Sequence, residues 1–127
     1  ELLSAGIEGE MEIVVTPERT ATSYCSGTLE VFATPSMIAL MEQTAMDSVA
    51  VLLPEKYTTV GTEVSVKHFK ATLPGNRVKI NSKLLKVENM KLLFEVSASS
   101  GADLIGKGIH ARYIVDKQKF IDNLLKK

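Results

Sequence analysis

The spacing of apolar residues changes period along the chain, and each period predicts an element. Met11 to Val15 is short, β-branched at its end and stopped by Thr16-Pro17, which predicts a strand. Residues 18–31 are mixed and polar, which predicts a loop. Beyond Thr34-Pro35 the apolar positions 37, 38, 41, 45, 49 and 52 follow helical spacing, and Pro54 stops the segment. The expectation is one long helix over about residues 35–53. Thr34 reads as its N-cap, with Pro35 at the first helical position. Most faces of this helix are apolar, and only Gln43, Asp47 and their neighbours suggest an exposed stripe, so it should be largely buried.

After Pro54 the period becomes two. Val60, Thr62, Val64, Val66 and His68 share one face against Glu63, Ser65 and Lys67, which turns His68 inward. Pro74-Gly75-Asn76 makes a turn, and Val78, Ile80, Ser82 and Leu84 then alternate with Lys79, Asn81 and Lys83. Glu88-Asn89 turns into Leu92, Phe94, Val96 and Ala98, and Gly101-Ala102-Asp103 turns again. The last strand, Leu104 to Val115, alternates Ile105, Ile109, Tyr113 and Val115 with Gly106, Gly108, His110 and Arg112. Phe120 to Leu125 suits a short terminal helix. A buried helix followed by four antiparallel strands is an α+β layout, with the sheet wrapped around the helix in a single domain, residues 1–127.

Composition narrows the class of protein. A chain of 127 residues supports one core. No apolar run reaches the roughly 18 to 20 residues of a membrane span. Glu1 to Gly9 lacks the basic start and apolar stretch of a secretory signal. Cys25 is alone, so no disulfide forms within the chain, and the expected compartment is a reducing cytoplasm. Net charge is zero but unevenly spread: residues 1–63 hold ten of the fifteen acids and two of the fifteen bases. The basic second half reads either as a solvated, lysine-rich face or as a patch that attracts a polyanionic small molecule. Nucleic acid is not expected, because there is no Trp and no basic run interleaved with aromatics.

Three residues carry candidate chemistry. Thr34 opens the helix, Glu42 lies inside it among Ile38, Ala45, Met46 and Val49, and His68 sits on the inward face of the next strand. A hydroxyl, a carboxylate and an imidazole are the parts of an acyl-transfer site. A carboxylate among apolar neighbours loses hydration unless it gains a partner. The three are expected to converge within hydrogen-bonding reach in one sheltered crevice. Each also has a plainer reading: an N-cap, a solvated helix acid, a core histidine. His110 is read as structural or surface, and Arg112 as pairing an acid or holding a phosphate. Gly61, Gly106 and Gly108 either relieve crowding or admit a ligand to the backbone. No metal is expected, since His68, His110 and Cys25 lack ligand spacing.

The stretches Val31-Phe-Ala-Thr-Pro-Ser-Met-Ile-Ala-Leu-Met-Glu42, Gly61-Thr-Glu-Val-Ser-Val-Lys-His68 with Ala71-Thr-Leu-Pro-Gly75, and Ile105-Gly-Lys-Gly-Ile-His-Ala-Arg112 resemble the hot-dog-fold acyl-coenzyme A thioesterases, most closely the fluoroacetyl-coenzyme A thioesterase type. The resemblance runs from about Val31 to Phe120. It implies a catalytic set on Thr34, Glu42 and His68, supported by Gly61 and Arg112. It implies no cofactor beyond the coenzyme A carried by the substrate, and a homodimer or larger homo-oligomer with the pocket at the subunit boundary. Upstream of Val31 the sequence departs from the family's best-known member: residues 16–30 look shorter and hold only Tyr24 as an aromatic. Fluoroacetyl specificity therefore does not carry over, and the acyl group stays open. A hydratase or dehydratase of the same fold, and a non-catalytic acyl-thioester-binding module, remain alternatives.

Overall fold

A computed structural model describes residues 3–126. Strand β1 (Glu8–Val14) leads through a short 3-10 turn (Pro17–Arg19) and an irregular loop into helix α1 (Thr34–Ala50). Four strands follow, β2 (Tyr57–His68), β3 (Arg77–Glu88), β4 (Lys91–Ser100) and β5 (Asp103–Asp116), and helix α2 (Lys117–Leu125) ends the chain. The strands form one antiparallel sheet in the order β1-β3-β4-β5-β2. The expected α+β layout is present.

Tight turns carry the β3–β4 and β4–β5 hairpins. Asn89 (φ 58°) and Gly101 (φ 61°) supply the left-handed backbone that such turns require. Period-two patterning then sends Val78, Ile80 and Leu84 of β3, and Leu92, Phe94, Val96 and Ala98 of β4, onto one face. There they enclose Met37, Leu40, Met41, Ala45 and Val49 of α1. β1 and β2 are the sheet's edges.

The helix differs from expectation at both ends. Its N-cap is Ala33, in extended conformation and without a side-chain cap, so Thr34 is the first helical residue. Backbone bonds from Phe32 N–H to the Thr72 carbonyl (2.8 Å) and from Ala33 N–H to the Arg19 carbonyl (2.9 Å) fix the entry instead. At the other end α1 stops at Ala50, short of residue 53. Leu52 and Leu53 make tighter bonds to the Val49 and Ala50 carbonyls, because the residue before Pro54 avoids helical backbone. The exposed stripe runs through Pro35, Ala39, Gln43 and Asp47.

β2 also departs from simple alternation. Its pairing with β5 shifts register between Gly61 and Glu63, leaving Thr62 as the extra residue of a bulge. Val64, Val66 and His68 keep the inward face, but before the bulge the inward residue is Thr59, not Val60. The inward assignment of Val60 and Thr62 is therefore wrong. The β-branched run concealed the bulge, which depends on the partner strand.

Candidate active site

Two clusters of polar side chains interrupt the apolar face between α1 and the β2–β5 pair. The first joins Thr34 and His68. Because α1 begins one residue early, the Thr34 hydroxyl is free of capping and shares a 2.8 Å hydrogen bond with His68 Nδ1. Phe32, fully buried, meets the imidazole edge-on with ring centroids 6.2 Å apart. His68 Nε2 is buried and has no hydrogen-bond partner among the described residues. Burial pushes the imidazole below its ordinary value, and the Lys70 backbone partly offsets this. The ring is therefore neutral near pH 7, with one nitrogen unclaimed. A cleft of about 300 Å³, lined by Phe32, Thr34, Pro35, His68, Phe69 and Lys70 among others, opens over this pair.

The second cluster joins Arg112, His110 and Thr59. The guanidinium donates from Nε to Thr59 Oγ1 (2.7 Å), from Nη2 to the Thr59 carbonyl (2.9 Å) and from Nη1 to His110 Nε2 (3.2 Å). Both residues are buried, His110 at 1% and Arg112 at 6% exposure, so of the two readings of His110, structural or surface, the interior one holds. Gly61 closes over them. A Cβ there would sit 3.2 Å from the His110 ring and 3.3 Å from Arg112 Nη1, so the glycine makes room for the cluster. Gly108 has the same role against the Ser65 and Val66 backbone, and Gly106 against Met37. For these two the crowding reading holds.

Glu42 belongs with the second cluster. Burial lowers the proton affinity of both Arg112 and His110, and the charge of Glu42 partly opposes that at each; at His68 the opposing cause is the Lys70 backbone instead. Within one chain, two of the three groups come together. Thr34 and His68 meet, and Glu42 bonds neither of them. Helix geometry supplies the reason: eight residues rise about 12 Å and turn about 80° beyond two full turns, so Glu42 lies two turns along from Thr34 and rotated away from it. Sequence reading also missed Phe32, Thr59 and His110 as parts of these clusters. A pair of cationic residue types at 110 and 112, on alternate positions of an otherwise apolar strand, was the available signal.

Cavity size does not locate the site. Larger concavities of about 530 and 570 Å³ lie along β1 and β3 among Glu8, Asn81, Lys79 and other solvated residues, with no such clusters. No helix is long and apolar enough to cross a membrane.

Comparison with known proteins identifies the family and the fold. The family model for the fluoroacetyl-CoA-specific thioesterase FlK matches residues 15–118, beginning well upstream of Val31. The fluoroacetyl-CoA thioesterase of Streptantibioticus cattleyicolor is 40% identical over 91 residues, covering 72% of this chain and 66% of the relative, a little under two thirds of its length. A crystal structure of a FlK variant in complex with fluoroacetate and CoA superposes with a TM-score of 0.86 at 34% identity, covering 93% of this chain and 99% of that one. A hot-dog-like protein from Thermanaerovibrio acidaminovorans superposes with a TM-score of 0.90 at 21% identity, covering 98% and 93%, and bears on the fold alone. The architecture is the hot-dog fold.

Proposed function

Because the chain belongs to the fluoroacetyl-CoA-specific thioesterase family, we propose that it hydrolyses a small acyl-coenzyme A thioester to the free acid and coenzyme A. The observation that carries this reading is the Thr34–His68 pair, hydrogen-bonded at 2.8 Å below an open cleft, with the second imidazole nitrogen bare. A buried polar nitrogen is stabilised by a hydrogen-bond partner, which a ligand can supply. Glu42 supplies the carboxylate, either adding to the thioester carbonyl or deprotonating a water. His68 steadies the developing charge and assists thiolate departure, and Thr34 orients its ring. Amide groups in the first turn of α1, at Ser36 or Met37, serve the oxyanion, since Pro35 has none. The basic second half of the chain attracts the coenzyme A phosphates.

The separation of Glu42 from its own Thr34–His68 pair favours a site shared between two protomers. β2 is an open edge, and its backbone groups invite pairing with a second copy. A two-fold axis there lets residues from two positions on α1 serve one site, one from each protomer. The test is thiol release across acetyl-, fluoroacetyl- and longer acyl-CoA thioesters, with enoyl- and hydroxyacyl-CoA included. Free thiol from a small acyl thioester is expected. Chemical change of the enoyl substrate without thiol release would move the protein to the hydratase class, and tight binding with no turnover would make it a binding module.

A further inference from the structure

The reaction proposed above leaves His110 unused, yet both of its nitrogens are bonded. Nδ1 lies 2.8 Å from the Glu63 carbonyl oxygen, which only accepts, so Nδ1 carries a proton. Nε2 lies 3.2 Å from Arg112 Nη1, which only donates, so Nε2 is bare. The ring is thereby held neutral and in one tautomer. The bulge at Thr62 lies beside the Glu63 carbonyl that meets the ring, on the strand opposite. Phe94 of β4 stacks on the ring with centroids 6.3 Å apart.

Arg112 uses three of its five N–H groups on Thr59 and His110. The remaining two, one on each terminal nitrogen, have no partner among the described residues. Glu42 is the carboxylate whose charge acts on this guanidinium.

We propose that His110 is a positioning residue, whose neutral Nδ1–H tautomer anchors the Arg112 guanidinium and keeps its two free N–H groups available to the reaction. The proposal rests on the thioesterase reading for the role of Glu42. Its physical basis is the direction of the two hydrogen bonds. A protonated His110 would turn Nε2 into a donor facing another donor and set a second cation against the guanidinium. The groups facing the imidazole are the Glu63 carbonyl of β2, Phe94 of β4, Arg112 of β5 and, through its charge, Glu42 of α1. Burial, with Arg112, lowers the proton affinity of the ring, while the Glu63 bond and Glu42 work the other way.

The test has two arms. Nitrogen-15 NMR of histidine-labelled protein at pH 7 reads the tautomer without any substitution: a protonated Nδ1 and a bare Nε2 are expected. The opposite tautomer, or a doubly protonated ring, overturns the proposal. In the second arm, His110→Phe keeps a ring against Phe94 but removes the acceptor, and His110→Gln keeps a donor and an acceptor without titrating. Expected are a fall in kcat of about tenfold for His110→Phe with KM changed less than about threefold, and recovery to within about threefold in His110→Gln. A folded His110→Phe enzyme with wild-type kcat, or a His110→Gln enzyme as impaired as His110→Phe, rejects the positioning role. Where His110→Phe does not fold, the tautomer and the kcat of His110→Gln decide. A wild-type protein that releases no thiol fails the thioesterase reading instead, and the tautomer measurement still stands by itself.

Discussion

His68 and His110 occupy the same β2–β5 ladder, and burial lowers the proton affinity of both. They differ in what surrounds their nitrogens. His68 spends one nitrogen on Thr34 and leaves the other buried without a partner among the described residues. His110 has both nitrogens engaged, one by a backbone carbonyl and one by a guanidinium, with Phe94 stacked on its ring. The same side chain, half-buried in one place and fully buried in the other, thus lines a cleft in the first and holds a neighbour in the second. Burial and the count of satisfied hydrogen-bond positions both separate the two.

The comparison can be broken most directly by removing chemistry from each region. His68→Ala and Glu42→Ala are each expected to lower thioester turnover by about 10² to 10⁴, the range for a lost acid–base group. Mixing the two inactive variants should restore about a quarter of wild-type activity if each site draws on two protomers, because half of the exchanged dimers carry one intact site. No recovery after verified subunit exchange would confine the site to one chain. A milder change, Thr34→Val, removes only the hydroxyl that bonds His68. It should cost roughly three- to tenfold in kcat, equivalent to one ordinary hydrogen bond, and leave the melting temperature nearly unmoved.

The second region should answer in stability as well. Gly61→Ala pushes a methyl into the His110–Arg112 cluster and is expected to cost about 1–3 kcal/mol in denaturant unfolding, with activity reduced. A stable Gly61→Ala protein with full activity would show that the cluster has slack. Acid should act on both regions together. Each histidine titrates below its ordinary value of 6.5 when folded, so below that pH the unfolded chain binds more protons. Stability from these groups is complete above about 6.5 and is lost as pH falls toward the folded values. Melting temperatures across pH 5 to 8 should show this, with a shallower fall in His110→Gln. The smallest effect belongs to Lys70, whose 2.9 Å ion pair with Asp103 at the cleft rim is more than half exposed on both sides. Lys70→Ala should change stability by less than about 1 kcal/mol, and any loss of affinity for the coenzyme would appear in KM and weaken with salt.

The strands of the β3–β4–β5 meander were legible because each half-buried strand writes its orientation as a period of two, and short turns marked their ends. Helix α1 was legible for the equivalent reason, although Pro54 ended it sooner than its apolar pattern suggested. The stretches around Thr34, His68 and Arg112 carried the family resemblance, which the match over residues 15–118 extends upstream. Thr34 as a capping residue was wrong, since its hydroxyl had a stronger use across the fold, on a side chain thirty-four residues away. Within one chain Thr34 and His68 meet while Glu42 lies two helical turns from Thr34, which sequence spacing alone did not reveal.

Local pattern, then, determined which segments are helix or strand, which faces turn inward, and which residue types were available for acyl chemistry; periodicity and turn preference act over a few neighbours and can be read in order. Strand order, the bulge at Thr62, the burial of His110 and the separation of Glu42 from His68 were decided only in three dimensions. Each depends on which strand lies alongside and which atom completes a hydrogen bond, and those partners are brought together by packing from distant parts of the chain.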